Sequence, residues 1–186
     1  WAMDRLRSDV IDALTSPVVD GVTTYASATE VQKDAWLAAN NDRVLFGAAK
    51  SNNGSDDHSA ALGNIDTTND RLDADMVSLA KRMAKSATAG AIRPFRVNGS
   101  EEWFIMFCNS LCFRDLKTDS TILQANREAG VRGRDNPIFK DSDLIYDGVI
   151  IREVPEIAVI SGVGDSSSDV ATNFMCGAQA DGVAYA

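Results

Sequence analysis

Apolar residues near the start of the chain recur at helical intervals: Trp1, Leu6, Val10 and Leu14 stand four or five positions apart before Ser16-Pro17 interrupts them. That spacing predicts a short opening helix. After a small, polar link over 21–27, Thr29 with Gln32 three positions on forms a capping-box pattern that predicts a second helix through about Ala39. Val44-Leu45-Phe46-Gly47 closes this part as an apolar stop, and the SNNGSDDH run over 51–58 predicts an exposed loop open to proteolysis. Leu72, Met76, Leu79 and Met83 then fall on one helical stripe. Asp70, Asp73 and Asp75 come early in that helix and Lys81, Arg82 and Lys85 late, the order that complements the helix dipole, with an end expected near Gly90.

The period then changes. Residues 92–97, the Asn98-Gly99 pair and Trp103-Phe104-Ile105-Met106-Phe107 predict a hairpin with a tight turn. The second strand is apolar at every position, so it is expected at the centre of a sheet and covered on both faces. Pro94 places the first strand at an edge. Residues 121–128 predict a short helix capped by Asp119 or Ser120 and ended by Gly130, followed by a basic, glycine-containing loop. Asp147-Gly148 introduces a strand at Val149-Ile150-Ile151, Pro155 separates it from 157–160, 162–169 reads as a flexible loop, and 170–176 as a final strand. Helices first and strands later give an α+β class with a mainly antiparallel sheet.

The chain has 186 residues, 45% hydrophobic and 24% charged, which suits one folded domain or two small lobes. No apolar run approaches the roughly 18 residues of a membrane span. The opening at Trp1 inside a helical pattern and the uncapped stop at Tyr185-Ala186 read as a fragment of a longer chain. A net charge of −9 argues against a conventional nucleic-acid-binding module, because that affinity comes from Lys and Arg. Cys108, Cys112 and Cys176 show no paired spacing and are expected as small buried apolar residues in a reducing environment.

Candidate chemistry is sparse. His58 is the one histidine and falls in the most polar loop, so it is expected at the surface and not as a catalytic base. A zinc site lacks ligands. Asp66, Asp70 and Asp73 stand four and three residues apart and would share a helical face able to offer oxygens to Mg²⁺ or Ca²⁺. The competing reading is a solvated acidic helix start. Gly162-Val163-Gly164-Asp165 lacks the rest of a dinucleotide fingerprint. Arg127, Arg132, Arg134 and Lys140 form a basic cluster without interleaved aromatics, read as salt-bridging.

The order of segments resembles a known family. The run Ile92-Arg93-Pro94-Phe95-Arg96-Val97-Asn98-Gly99, then WFIMF, then Phe113-Arg114-Asp115-Leu116-Lys117-Thr118-Asp119 is similar to the major capsid proteins of the coliphage N-four type. Arg134-Asp135-Asn136-Pro137-Ile138-Phe139, Asp147-Gly148-Val149-Ile150-Ile151-Arg152-Glu153 and Gly177-Ala178-Gln179-Ala180 continue the likeness in order. The matches cover about half the chain, and their weight lies in order and spacing. The chain departs from the pattern at both ends, where such proteins carry an N-terminal arm, an extended loop and further chain.

The resemblance implies a Hong Kong 97-like capsid fold, with a long spine helix over 70–86 beside a mainly antiparallel sheet. It divides the chain into an N-terminal helical segment (1–50), a spine helix and peripheral-domain hairpin (51–108), and an axial-domain-like region with returning strands (109–186). The function implied is a coat protein, not an enzyme and without cofactors, that assembles with copies of itself in hexamers and pentamers around double-stranded DNA. Scaffold, portal or decoration proteins are the further partners it implies, with the virion as final location after synthesis in the host bacterial cytoplasm. Arg114, Asp115, Lys117, Arg127, Arg132, Arg134 and Glu153 are the candidates for intersubunit ion pairs; the plain alternative for each is a solvated charge or an internal bridge. The rival function is a monomeric ligand-binding or metal-dependent hydrolytic domain using Asp66, Asp70 and Asp73.

Overall fold

The computed structural model describes residues 2–88, 90–97, 100–130 and 144–178. The Asn98-Gly99 turn, Arg132, Arg134, Lys140 and the Gln179-Ala180 end of the last family-like segment lie outside them. The described chain folds as two compact units, one of 1–71 with 156–172 and one of 72–155 with 173–186. These boundaries differ from the divisions at 50/51 and 108/109 expected from the sequence.

The first unit opens with α1 (Ala2–Thr15) and α2 (Glu30–Asn40). The capping box forms as the sequence predicts, the Thr29 amide donating to Gln32 Oε1 at 2.9 Å. Asp57 caps α3 (His58–Gly63) by accepting from the Ala60 amide at 2.9 Å. Leu37, Phe46, Ala61, Leu62 and Val170 form the buried core, with Trp36, Val44, Ile65 and Val163 against it. The later segment returns a short pair, β5 (Val159–Ile160) with β6 (Val170–Ala171), antiparallel.

The second unit is built on α4 (Ala74–Ser86), β1 (Phe95–Val97) and β2 (Glu101–Cys108), then α5 (Ser110–Thr118), α6 (Ser120–Gly130), β3 (Leu144–Tyr146), β4 (Val149–Glu153) and β7 (Asn173–Cys176). The helix expected over 70–86 begins at Ala74, because Asp73 caps it by accepting from the Met76 amide at 2.8 Å. It ends at Ser86, short of Gly90, where Ala87 turns to an extended backbone. Thirteen residues make a helix about 20 Å long.

β2 is the central strand. It pairs antiparallel with β1 and with β7, and parallel with β4, which in turn pairs antiparallel with β3. Asp147 and Gly148 both have positive φ, 47° and 72°, as a two-residue hairpin turn demands, and they close β3 onto β4. The expected single strand over 170–176 is two: β6 belongs to the first unit and β7 to the second, with Thr172 between them.

Alternation sorts the sheet into two faces. Phe104, Met106, Cys108, Val149, Ile151 and Leu144 point to one face and pack with Met76, Val77 and Ala84 of α4, Phe113 and Leu116 of α5, and Ile122 of α6. On the other face the registers line up Phe95 with Trp103, Ile105 with Ile150 and Cys176, and Phe107 with Phe174. Among the described residues these side chains are only half-buried, which corrects the expectation that β2 is covered on both faces.

Candidate interaction surface

α5 and α6 stand on a buried stripe of Phe113, Leu116 and Ile122, and helical periodicity turns the intervening residues outward. Asn109 caps α5 by accepting from the Leu111 amide at 2.9 Å. Asp119, of the two cap candidates, serves α6 by accepting from the Ile122 amide at 2.9 Å. Leu111, Arg114 and Lys117 of α5 and Leu123 and Arg127 of α6 are thereby exposed, Leu111 to 53%. Lys117 Nζ lies 4.4 Å from the centre of the Phe113 ring, a cation–π contact that steadies its position.

Asp115 is half-buried and its field, after burial itself, helps to raise the Cys112 thiol above its ordinary range. Glu153 ends β4 opposite Cys108, the residue before the Asn109 cap, so an exposed carboxylate sits beside the start of α5. Among the described residues no ion pair engages Arg114, Asp115, Lys117, Arg127 or Glu153. The structure thus brings Arg114, Asp115, Lys117 and Arg127 onto two consecutive helices with Glu153 near the first.

The rival constellation does not form. Asp66, Asp70 and Asp73 share no helix. Asp66 accepts from the Asn69 amide, from Asn69 Nδ2 and from the Thr68 amide, and these bonds, the Asn69 amide foremost, hold its carboxyl below the usual carboxylate range. Asp70 accepts from the Ala48 amide at 2.6 Å, the Asp66 amide at 2.9 Å and Asn52 Nδ2 at 3.3 Å. Asp73 is the cap of α4. Their oxygens are committed to N–H donors, and among the described residues no group of three or more His, Cys, Asp or Glu is placed to hold a metal.

His58 also departs from its expected place. It is buried, with Nδ1 3.1 Å from Glu30 Oε2 and its amide donating to Asp34 Oδ1 at 2.8 Å. The Tyr25 ring meets it edge-on with 5.3 Å between centres. A polar loop delivered it inward because Asp57 starts a helix there and an aromatic pocket of Tyr25 and Phe46 receives it. Burial, then the Glu30 charge, pushes the Tyr25 phenol up to about 12. Gly164 of the Gly162–Asp165 run fills a structural need: a Cβ there would lie 2.8 Å from the Ile65 carbonyl oxygen. Cys108 is buried, and burial foremost raises its thiol, which makes it a poor nucleophile.

The half-buried apolar sheet face was not picked out from the sequence. Its signal was present in WFIMF, where the alternate positions Trp103, Ile105 and Phe107 are as apolar as the core positions. No helix among the described residues is long and apolar enough to cross a membrane.

A helix-backed mixed sheet of this arrangement is that of phage capsid subunits. The asymmetric unit of the cyanophage Pam1 capsid contains a chain that is 45% identical, aligned over 83% of this chain and 42% of its own length with a TM-score of 0.71. The capsid of Ralstonia phage GP4 shares the fold at 20% identity and a TM-score of 0.53, over 74% of this chain and 37% of that one. The phage capsid protein profile matches residues 5–186, and this chain belongs to that family. A major capsid protein of Pseudomonas phage KPP25 is 31% identical over 100 residues, covering 50% of this chain and 27% of the relative. The chain therefore spans about two fifths of its structural neighbours and about a quarter of that relative.

Proposed function

We propose that this chain is part of a major capsid protein, a structural coat subunit that self-associates into the icosahedral head of a tailed phage around double-stranded DNA. The observation that carries this reading is the 45% identity and 0.71 TM-score to the Pam1 capsid subunit across 83% of the chain. In this reading the fold is Hong Kong 97-like, α4 is the spine helix, and β1 and β2 belong to the sheet beside it. Residues 109–186 contribute the axial-type region. The virion is the site of action, reached after synthesis in the host cytoplasm, and scaffold, portal and decoration proteins meet the assembled shell. No catalysis and no cofactor are required of such a subunit.

The unpaired charges Arg114, Asp115, Lys117, Arg127 and Glu153, joined by Arg132 and Arg134, supply lateral ion pairs between copies in hexamers and pentamers. Exposed ion pairs contribute only about 0–1 kcal/mol each, so a shell depends on many repeats of interfaces of roughly 1,200–2,000 Å². Sedimentation of the full-length protein tests the assignment. Charge reversal at Arg114 or Arg132 is expected to shift material from particles to free subunits, while the thermal midpoint changes by no more than surface substitutions do, about 0.5 kcal/mol in stability. Wild-type particle yield from both variants removes these residues from the interface.

A further inference from the structure

The charge of the chain is divided unevenly between the two units. The first unit holds fourteen acids and six bases, a net of −8, and the second holds thirteen acids and twelve bases, a net of −1. Within the first unit, α1 carries exposed Asp9 and Asp12, the latter near its C-terminal end, and there is no basic residue in its last turn. Acids at that end oppose the helix dipole, so the helix is weaker for holding them. Among the described residues neither carboxylate has an ion pair or side-chain hydrogen bond within the chain.

On α5 the outward stripe is Leu111, Arg114 and Lys117, spaced by three. On α1 the exposed acids Asp9 and Asp12 are likewise three apart. Spacing by three keeps residues on one helical face, and a rise of about 1.5 Å per residue separates either charged pair by about 4.5 Å along its axis. Laid antiparallel, the two stripes match Asp12 with Arg114 and Asp9 with Lys117.

We infer that α1 of one copy docks antiparallel on α5 of a second copy through these two ion pairs. This rests on the capsid reading above and names the surface that receives its α5 cations. The contact joins different patches on the two copies, the heterologous geometry that closes into rings when the rotation allows. Two exposed ion pairs make it sensitive to salt.

The test uses the full-length protein carrying three sets of substitutions. Asp9→Lys with Asp12→Lys is expected to abolish ring and shell formation although it strengthens α1 by its dipole. Arg114→Glu with Lys117→Glu is expected to do the same, and the chain with all four substitutions to assemble again. Circular dichroism of each variant checks folding, and Asp9→Asn with Asp12→Asn gives a milder version if the reversed chains unfold. Wild-type assembly with no rescue by the fourfold variant overturns this contact and leaves the capsid reading standing. Wild-type protein that stays monomeric overturns both.

Discussion

Asp70 shows how a single carboxylate can hold a local fold without chemistry. Its oxygens accept from the Ala48 amide, the Asp66 amide and Asn52 Nδ2, and so tie the segment after Phe46 to the turn before α4. Asp70→Ala leaves these donors without their partner, and the expected loss is about 2–3 kcal/mol, read as a lower unfolding midpoint. Millimolar Mg²⁺ or Ca²⁺ should leave the wild-type midpoint unchanged; a cation-dependent rise would restore the metal reading. Glu30 gives a pH-dependent counterpart. The Lys33 hydrogen bond first, and then the one to His58, hold its carboxyl below its ordinary value. The stability it contributes is complete above the unfolded-state pKa, near 4.3, and is lost as pH falls through the lower folded-state value. Glu30→Gln should therefore flatten the acid limb of a midpoint-against-pH curve below about pH 4.5. An unchanged slope would show that the pair contributes nothing. His58 itself illustrates why residue-level reading of the sequence fell short: six polar residues and a glycine before it marked a surface loop, and the aromatic pocket formed by distant Tyr25 and Phe46 draws the ring inward.

At the scale of elements, periodicity and caps were legible because both are local. Thr29 with Gln32, the stripe of α4 and the Asp147-Gly148 turn each carry their cause within a few residues. What depends on distant chain was not legible. The start of α4 falls at Ala74 because Asp73 is its cap, while Asp70, four residues earlier, is engaged with Ala48 and Asn52, contacts that no local window of sequence contains. The parallel pairing of β2 with β4 joins strands about 45 residues apart, and the break of 170–176 into β6 and β7 follows which unit each strand joins. The candidate charges on α5 were readable as charges, but that no ion pair engages them among the described residues was not. The energetic centre of the second unit is Phe104, fully buried on β2 where that strand meets Val149 of β4. Phe104→Ala should cost about 3–5 kcal/mol, measured by urea unfolding. A loss under about 1 kcal/mol would mean that the helix-facing side of the sheet is not the core.

For the whole molecule, the uneven charge and the uncovered charged helix face belong together. A subunit that is strongly acidic overall yet shows exposed cations on α5 and α6 has surfaces of both signs, which suits repeated contact between copies better than binding to a polyanion. The apolar second face of the sheet, with Trp103, Ile105, Phe107 and Phe174 only half-buried, adds area that water covers poorly. In the capsid reading proposed above, which accords with membership of the phage capsid protein family, both features serve a shell of many weak contacts. Electron microscopy of the full-length protein after expression tests this most directly. Rings, sheets or closed shells of a repeating subunit are the predicted result, and a uniform population of single subunits at high concentration would contradict it.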